Sequence, residues 1–215
     1  MKKIAVILAG CGVYDGAEIH EAVLTLLAID KQGAAYQCFA PDMNQAHVVN
    51  HLKGEESAET RNVLVESARI SRGNIKPLSE YSPVTFDGLI IPGGFGAAKN
   101  LCDWAFKGDE CTVNPDVEKA IQTTFAAGKP IGAMCIAPVI LAKLFDGTNL
   151  TTGQDQASGG FIEKMGNKYT NTTHGEVVID REKKLFTTPC YMLDARISEI
   201  EAGTSNIVRE MLKVM

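Results

Sequence analysis

The sequence predicts an α/β domain with a doubly wound, mostly parallel sheet and helices on both faces. Three observations predict it. Continuous apolar runs at Lys3 to Leu8, Phe86 to Ile91 and Ile131 to Met134 suit strands buried on both faces. Segments with helical periodicity follow or separate those runs. Glycine-rich or sharp turns sit just past the carboxyl ends of the same runs, where such sheets bind ligands.

The first run gives way to a loop with glycines at 10, 12 and 16, then to a helix over Glu18 to Gln32. The apolar positions Ile19, Ala22, Val23, Leu26, Leu27 and Ile29 carry that helix, and Gly33 ends it. Tyr36 to Ala40 reads as the second strand. Between Pro41 and Pro83 the pattern breaks into polar loops and one helix, roughly Ala58 to Ile70. This stretch, about 41–83, reads as an insertion on the sheet within a single domain spanning 1–215. Phe86 to Ile91 runs into PGGFGAAKN, and a helix over Pro115 to Ala127 leads to the strand that ends at Cys135. Beyond Phe145 the signal weakens. Glu176 to Asp180 and Lys184 to Thr188 alternate across a short turn and predict a small β-hairpin. Arg196 to Met215 closes the chain as a helix. Strands alternating with helices give the parallel, doubly wound reading.

Composition limits the function classes. A chain of 215 residues, 45% hydrophobic, has material for one sizeable core. A net charge of -5 argues against nucleic acid and anionic membrane as main partners. The apolar start is too short for a signal peptide and reads as a strand, and no run approaches the roughly 18 apolar residues of a membrane span. Six cysteines without CxxC pairs and four scattered histidines show no zinc spacing. The expectation is a cytoplasmic protein with free thiols and no metal.

Cys135 is the leading candidate for chemistry. Strand, sharp turn and helix meet there, with Pro138 suited to the first helical turn. Backbone N–H groups and the helix dipole at that turn favour thiolate over thiol, against the alternative of a small packed hydrophobe. The context matches a nucleophile elbow without its flanking glycine pattern. Gly94, in the double-glycine turn, and Ile136 offer backbone N–H groups for an oxyanion. Glu18 opens the first helix at the same sheet edge, either as an acid–base group facing the cysteine or as a solvated helix-start carboxyl. His20 stands near it with solvent as its expected surrounding. Cys11 is placed on the pocket rim, as a resolving thiol or a packed small residue. His47 and His51 have i, i+4 spacing but no third ligand. GCGVYDG lacks the third glycine of a dinucleotide loop, so no cofactor is expected.

The segments GCGVYDGAEIHEAVLTLLAI, ETRNVLVESARISRG, PGGFGAAKNL, GKPIGAMCIAP and TTPCYM, in this order, resemble the ElbB-type glyoxalases, the isoprenoid-biosynthesis-associated proteins of the ThiJ/PfpI superfamily. The resemblance implies a flavodoxin-like, class I glutamine amidotransferase-like fold. It also implies a reactive Cys135, a pocket carboxyl at Glu18, backbone donors at Gly94 and Ile136, and a homodimer. The activity implied is conversion of glyoxal, with methylglyoxal as a further substrate, to glycolate without a cofactor. A redox-responsive or chaperone-like role at Cys135, or a cysteine hydrolase or deglycase, is the alternative. His174 and Glu176, in THGE, resemble the His-x-Glu pair of amidotransferase triads. Superfamily enzymes often carry a histidine directly after a Thr-Thr beyond the elbow helix. Here Gly153 holds that place in LTTGQD, which removes the usual base and weakens the hydrolase reading.

Overall fold

The computed structural model describes all 215 residues. In chain order the elements are β1 (Lys3–Ile7), α1 (Ile19–Lys31), β2 (Ala35–Ala40), β3 (Val48–Asn50), β4 (Glu55–Ser57), α2 (Val63–Ile70), β5 (Ile75–Pro77) and β6 (Gly88–Ile91). Then follow α3 (Trp104–Lys107), α4 (Pro115–Ala126), β7 (Ile131–Met134), α5 (Pro138–Leu144), β8 (Asn149–Leu150), α6 (Gln156–Lys164), β9 (Lys168–Tyr169), β10 (Val178–Asp180), β11 (Leu185–Thr188) and α7 (Ile197–Leu212).

The main sheet has seven strands in the order β10-β11-β7-β6-β1-β2-β5. Every pairing is parallel except the β10–β11 hairpin at one edge. The chain moves outward from β1 to β2 and β5, then returns to place β6 on the other side of β1. That reversal opens a crevice beyond the carboxyl ends of β1 and β6. The central strands are apolar along their length because both faces are covered: Ile4 to Ala9, Leu89 to Ile91 and Ile131 to Met134 are buried. Helices α1 and α7 pack on each other, and α7 also reaches β7 and β11, while α4 lies against β6 and β7. No helix is long and apolar enough to cross a membrane.

Two expectations need correction. The 41–83 stretch is not simply an insertion. Its last part supplies α2 and the edge strand β5, which pairs with β2 through Cys38–Ile75 to Ala40–Pro77. Only the β3–β4 ribbon is an addition to the sheet. A strand of three residues ending in proline carries too little periodicity to be read from sequence. The helix there also starts later than the expected Ala58, at Val63, because the Asn62 side chain caps it by accepting from the Val65 N–H at 3.0 Å. Beyond Phe145, where the sequence carries no strong pattern, lie α6 and the two-residue strands β8 and β9.

Candidate functional site

Cys135 follows β7 directly and adopts φ +59°, an uncommon conformation for a residue with a side chain. Neighbouring hydrogen bonds hold it there. Its N–H donates to the Thr188 carbonyl at 3.0 Å, and the Ala137 N–H donates back to Met134 at 3.0 Å. Pro138 then opens α5, as expected from its place in the sequence. The elbow turns the sulfur toward the crevice and leaves it only 7% exposed.

The double-glycine turn packs against this elbow. A Cβ on Gly93 would stand 2.3 Å from the Cys135 Cβ and 2.9 Å from its sulfur. Gly94 has φ +93°, and a Cβ there would meet the Glu18 nitrogen at 2.3 Å. Both positions therefore require glycine. The turn is laced to the first loop by Phe95 N–H to Val13 at 2.7 Å and Gly96 N–H to Gly16 at 2.8 Å. Asn100 locks the same loop by donating to the carbonyls of Ala9 and Asp15, each at 2.9 Å. Asp15, which stands where a dinucleotide loop would place glycine, is buried and accepts from the Val49 N–H at 2.7 Å.

The carboxyl group at the sulfur belongs to Glu21, not Glu18. Glu21 is fully buried, and its oxygens accept from the Gly93 N–H at 2.9 Å and the Tyr191 N–H at 3.1 Å. It lies within hydrogen-bonding reach of the Cys135 sulfur. Burial first, and the neighbouring Glu18 second, push its pKa up to about 8. Glu18 caps α1 by accepting from the Glu21 N–H at 2.7 Å, and it lines the same cavity as Cys135. Sequence reasoning missed Glu21 because the face it shares, with Thr25 and Ala28, is small or polar and lies beside the apolar stripe. In the fold Glu21 lies one turn before Thr25 and two before Ala28, on a side of the helix with no exposed residue.

The expectation of a lowered Cys135 pKa is also corrected. The N–H groups of Gly94 and Ile136 face the sulfur and favour its anion, as their placement suggested. Burial and the charge of Glu21 outweigh them and raise the thiol. Cysteine and acid titrate as one unit. Loss of a single proton from the pair yields either carboxylate with thiol or carboxylic acid with thiolate. The Gly93 and Tyr191 N–H groups on the carboxyl stabilise the first arrangement, and the Gly94 and Ile136 N–H groups on sulfur stabilise the second.

The other candidates lie elsewhere. Cys11 is not on the cavity rim. It sits among Glu66, Arg69 and Asp15, and burial followed by the charge of Glu66 raises its pKa. His174 is exposed and near Glu199, and its presumed partner Glu176 instead accepts from the Thr173 N–H at 2.6 Å. His20 is exposed, as expected, with Nδ1 2.8 Å from the Tyr191 hydroxyl. His47 and His51 do not share a helix. They bracket β3, with His47 Nε2 2.8 Å from Lys99 Nζ and His51 Nε2 accepting from the Tyr14 N–H at 3.2 Å. Gly153 has φ +86° and packs against Pro189 and Leu193.

The cavity over Cys135 has a volume of about 360 Å³. Val13, Glu18, Gly94, Phe95, Cys135 and Ile136 come from the three loops expected to converge. Trp104 and Ala157 come from segments the sequence did not mark, and Asp155, in LTTGQD, and Tyr191 and Met192, in TTPCYM, were not singled out as site residues. A buried nucleophile, an acid with a pKa near neutrality and two backbone donors can add sulfur to a carbonyl and move a proton without a histidine.

The sequence profile of the DJ-1/PfpI family matches residues 3–189. The human glutamine amidotransferase-like class 1 domain-containing protein 3, mitochondrial, is 44% identical, over 99% of this chain and 83% of that protein. The ES1 protein homolog, mitochondrial, of Rattus norvegicus is 42% identical, over 99% of this chain and 84% of that one. An isoprenoid biosynthesis protein with an amidotransferase-like domain from Ehrlichia chaffeensis superposes with TM-score 0.92 at 36% identity, covering 99% of this chain and all of that one. Glyoxalase III of Candida albicans shares the fold, with TM-score 0.65 at 14% identity, covering 100% of this chain and 97% of that one.

Proposed function

We propose that this chain, which belongs to the DJ-1/PfpI family, is an ElbB-type glyoxalase that converts glyoxal to glycolate with no cofactor. The observation that carries the reading is the buried Glu21 carboxyl held against the Cys135 sulfur by two backbone N–H groups. That pairing supplies a nucleophile and its proton carrier in one place.

The sulfur of the Cys135–Glu21 pair bonds to one aldehyde carbon of glyoxal. The oxygen of that carbon takes a proton from Glu21 and forms a hemithioacetal. The N–H groups of Gly94 and Ile136 hold the oxygen while it is charged. Loss of the C–H proton from the same carbon gives an enediol. Glu18, whose Oε1 has no partner within the protein, is the group that takes it. Return of a proton to the adjacent carbon gives the thioester of glycolic acid. Water cleaves the thioester and restores the thiol. One carbon is oxidised to the acid level and its neighbour is reduced to an alcohol, so the sum is glyoxal plus water to glycolate and no outside oxidant enters.

No histidine lines the cavity, which weighs against a cysteine hydrolase of the usual kind. The near-complete burial of Cys135 weighs against a thiol exposed for oxidant sensing. The test is glycolate formation from glyoxal by the purified protein, followed by NMR. Turnover that disappears in Cys135→Ser supports the reading. Absence of turnover in the intact protein, or its persistence in Cys135→Ser, overturns it.

A further inference from the structure

The cavity of about 360 Å³ is far larger than a two-carbon dialdehyde needs. Phe95, Trp104, Ile136 and Met192 make its walls mostly apolar. Its charged side chains are acidic, Glu18 and Asp155, and no lysine, arginine or histidine lines it. Glu18 Oε2 is already taken by the Glu21 N–H, and Asp155 Oδ2 by the N–H and hydroxyl of Ser158. Neither acid is offset by a cation, so an anion entering this half-enclosed space meets repulsion with little solvent screening. Trp104 and Phe95 put two aromatic side chains on the wall.

We propose that the cavity selects an uncharged 2-oxoaldehyde with a flat apolar substituent, an aryl glyoxal in chemical class, and that it rejects aldehydes bearing a carboxylate. The proposal rests on the reading of Cys135 as a nucleophile toward dicarbonyls. The balance is unchanged with the larger substrate. The aldehyde carbon bonds to sulfur and rises to the acid level, the ketone carbon falls to a secondary alcohol, and water releases a 2-hydroxy acid. The substituent rests on the apolar walls and gains by the area it removes from water. Glyoxal has no such area to bury.

Initial rates with glyoxal, phenylglyoxal and 4-carboxyphenylglyoxal test the proposal, on the wild type and on Trp104→Ala. The expected kcat/KM for phenylglyoxal exceeds that for glyoxal by about tenfold or more, and 4-carboxyphenylglyoxal falls roughly a hundredfold below phenylglyoxal. Trp104→Ala, which removes apolar wall, lowers kcat/KM for phenylglyoxal by about tenfold, mainly through KM. A second arm needs no turnover. Alkylation of Cys135 by iodoacetamide, iodoacetate and phenacyl bromide is compared with the same reactions of an unstructured cysteine peptide. The protein should disfavour iodoacetate and favour phenacyl bromide, each by about tenfold relative to the peptide, and Trp104→Ala should slow phenacyl bromide more than iodoacetamide. Failure of every dicarbonyl to react sinks the glyoxalase reading alone, and the alkylation ratios then decide the cavity's preference. Peptide-like ratios, glyoxal equal to phenylglyoxal, or 4-carboxyphenylglyoxal within tenfold of phenylglyoxal would overturn the proposal.

Discussion

Glu18 accepts a hydrogen bond from the backbone N–H of Glu21 at 2.7 Å. The residue that caps the helix thus fixes the peptide from which the buried acid projects. Through the Gly93 N–H, Glu21 in turn holds the double-glycine turn that faces the sulfur. Cap, acid and turn form one chain of contacts ending at Cys135, and the following predictions probe its links.

Replacing Glu21 by Gln removes the proton carrier at the sulfur. Glyoxal turnover should fall by about two to four decades. Glu18→Gln keeps a cap and should cost less in stability than Glu18→Leu, while still lowering turnover. Near wild-type turnover in Glu21→Gln, measured by glycolate formation, would remove Glu21 from the chemistry.

Titration of the pair gives a pH signature. Alkylation of Cys135 by iodoacetamide should rise only above the ordinary thiol range, because burial and then the Glu21 charge hold the thiol up. In Glu21→Gln this rise should move away from that position. A profile identical in both proteins would show that the two groups are not coupled.

Stability should depend on pH through the same acid. Glu21 has a folded pKa of about 8 against an ordinary 4.5, so the folded state binds the extra proton between those values. The stabilisation is fully present below pH 4.5 and lost as pH rises through about 8. The slope of unfolding free energy attributable to this group is at most about 1.4 kcal/mol per pH unit. Denaturant melts across this range should show a decline that flattens above pH 8 and is absent in Glu21→Gln.

His174→Ala should keep glyoxal turnover within about twofold, because the side chain is exposed and away from the cavity. A loss matching that of Cys135→Ser would bring this histidine into the reaction.

Gly153→His should not install the missing base. The backbone there has φ +86°, and a new Cβ would stand 3.0 Å from that of Pro189. The expected outcome is a loss of roughly 1–3 kcal/mol with no gain in turnover, read by thermal melts and the same assay.

The strong features of fold and site were legible because they depend on local patterns. Buried strands read as continuous apolar runs, and the elbow read from the strand, Cys135 and Pro138 in succession. The hairpin read from alternation, and pairing of Ile179 with Phe186 places it as expected. What escaped depends on distant parts of the chain. Glu21 is an acid whose environment is made by Gly93 and Tyr191, 72 and 170 residues away. A lone Glu on a helix gives no sign of that, so the sequence pointed to its neighbour at the helix start. The sign of the Cys135 shift was lost for the same reason: the local N–H donors were visible, and the buried acid was not. Trp104 and Tyr191 reach the cavity from weakly patterned segments that only the closed fold brings round.

The interlocking of the glycine turns bears on how such a site can be altered. A side-chain carbon at Gly94 would meet the Gly16 carbonyl oxygen at 2.5 Å, and one at Gly96 would meet the Gly16 backbone at 2.5 Å. Neither loop has room for a change that the other does not match. Grafting one loop from a relative of different specificity should therefore give misfolded protein, whereas exchanging both together should succeed. Single substitutions that retune the activity should be confined to the cavity's outer wall, at Phe95 and Ala157, which are exposed. The reacting centre is inherited as a block, and diversification is left to its rim.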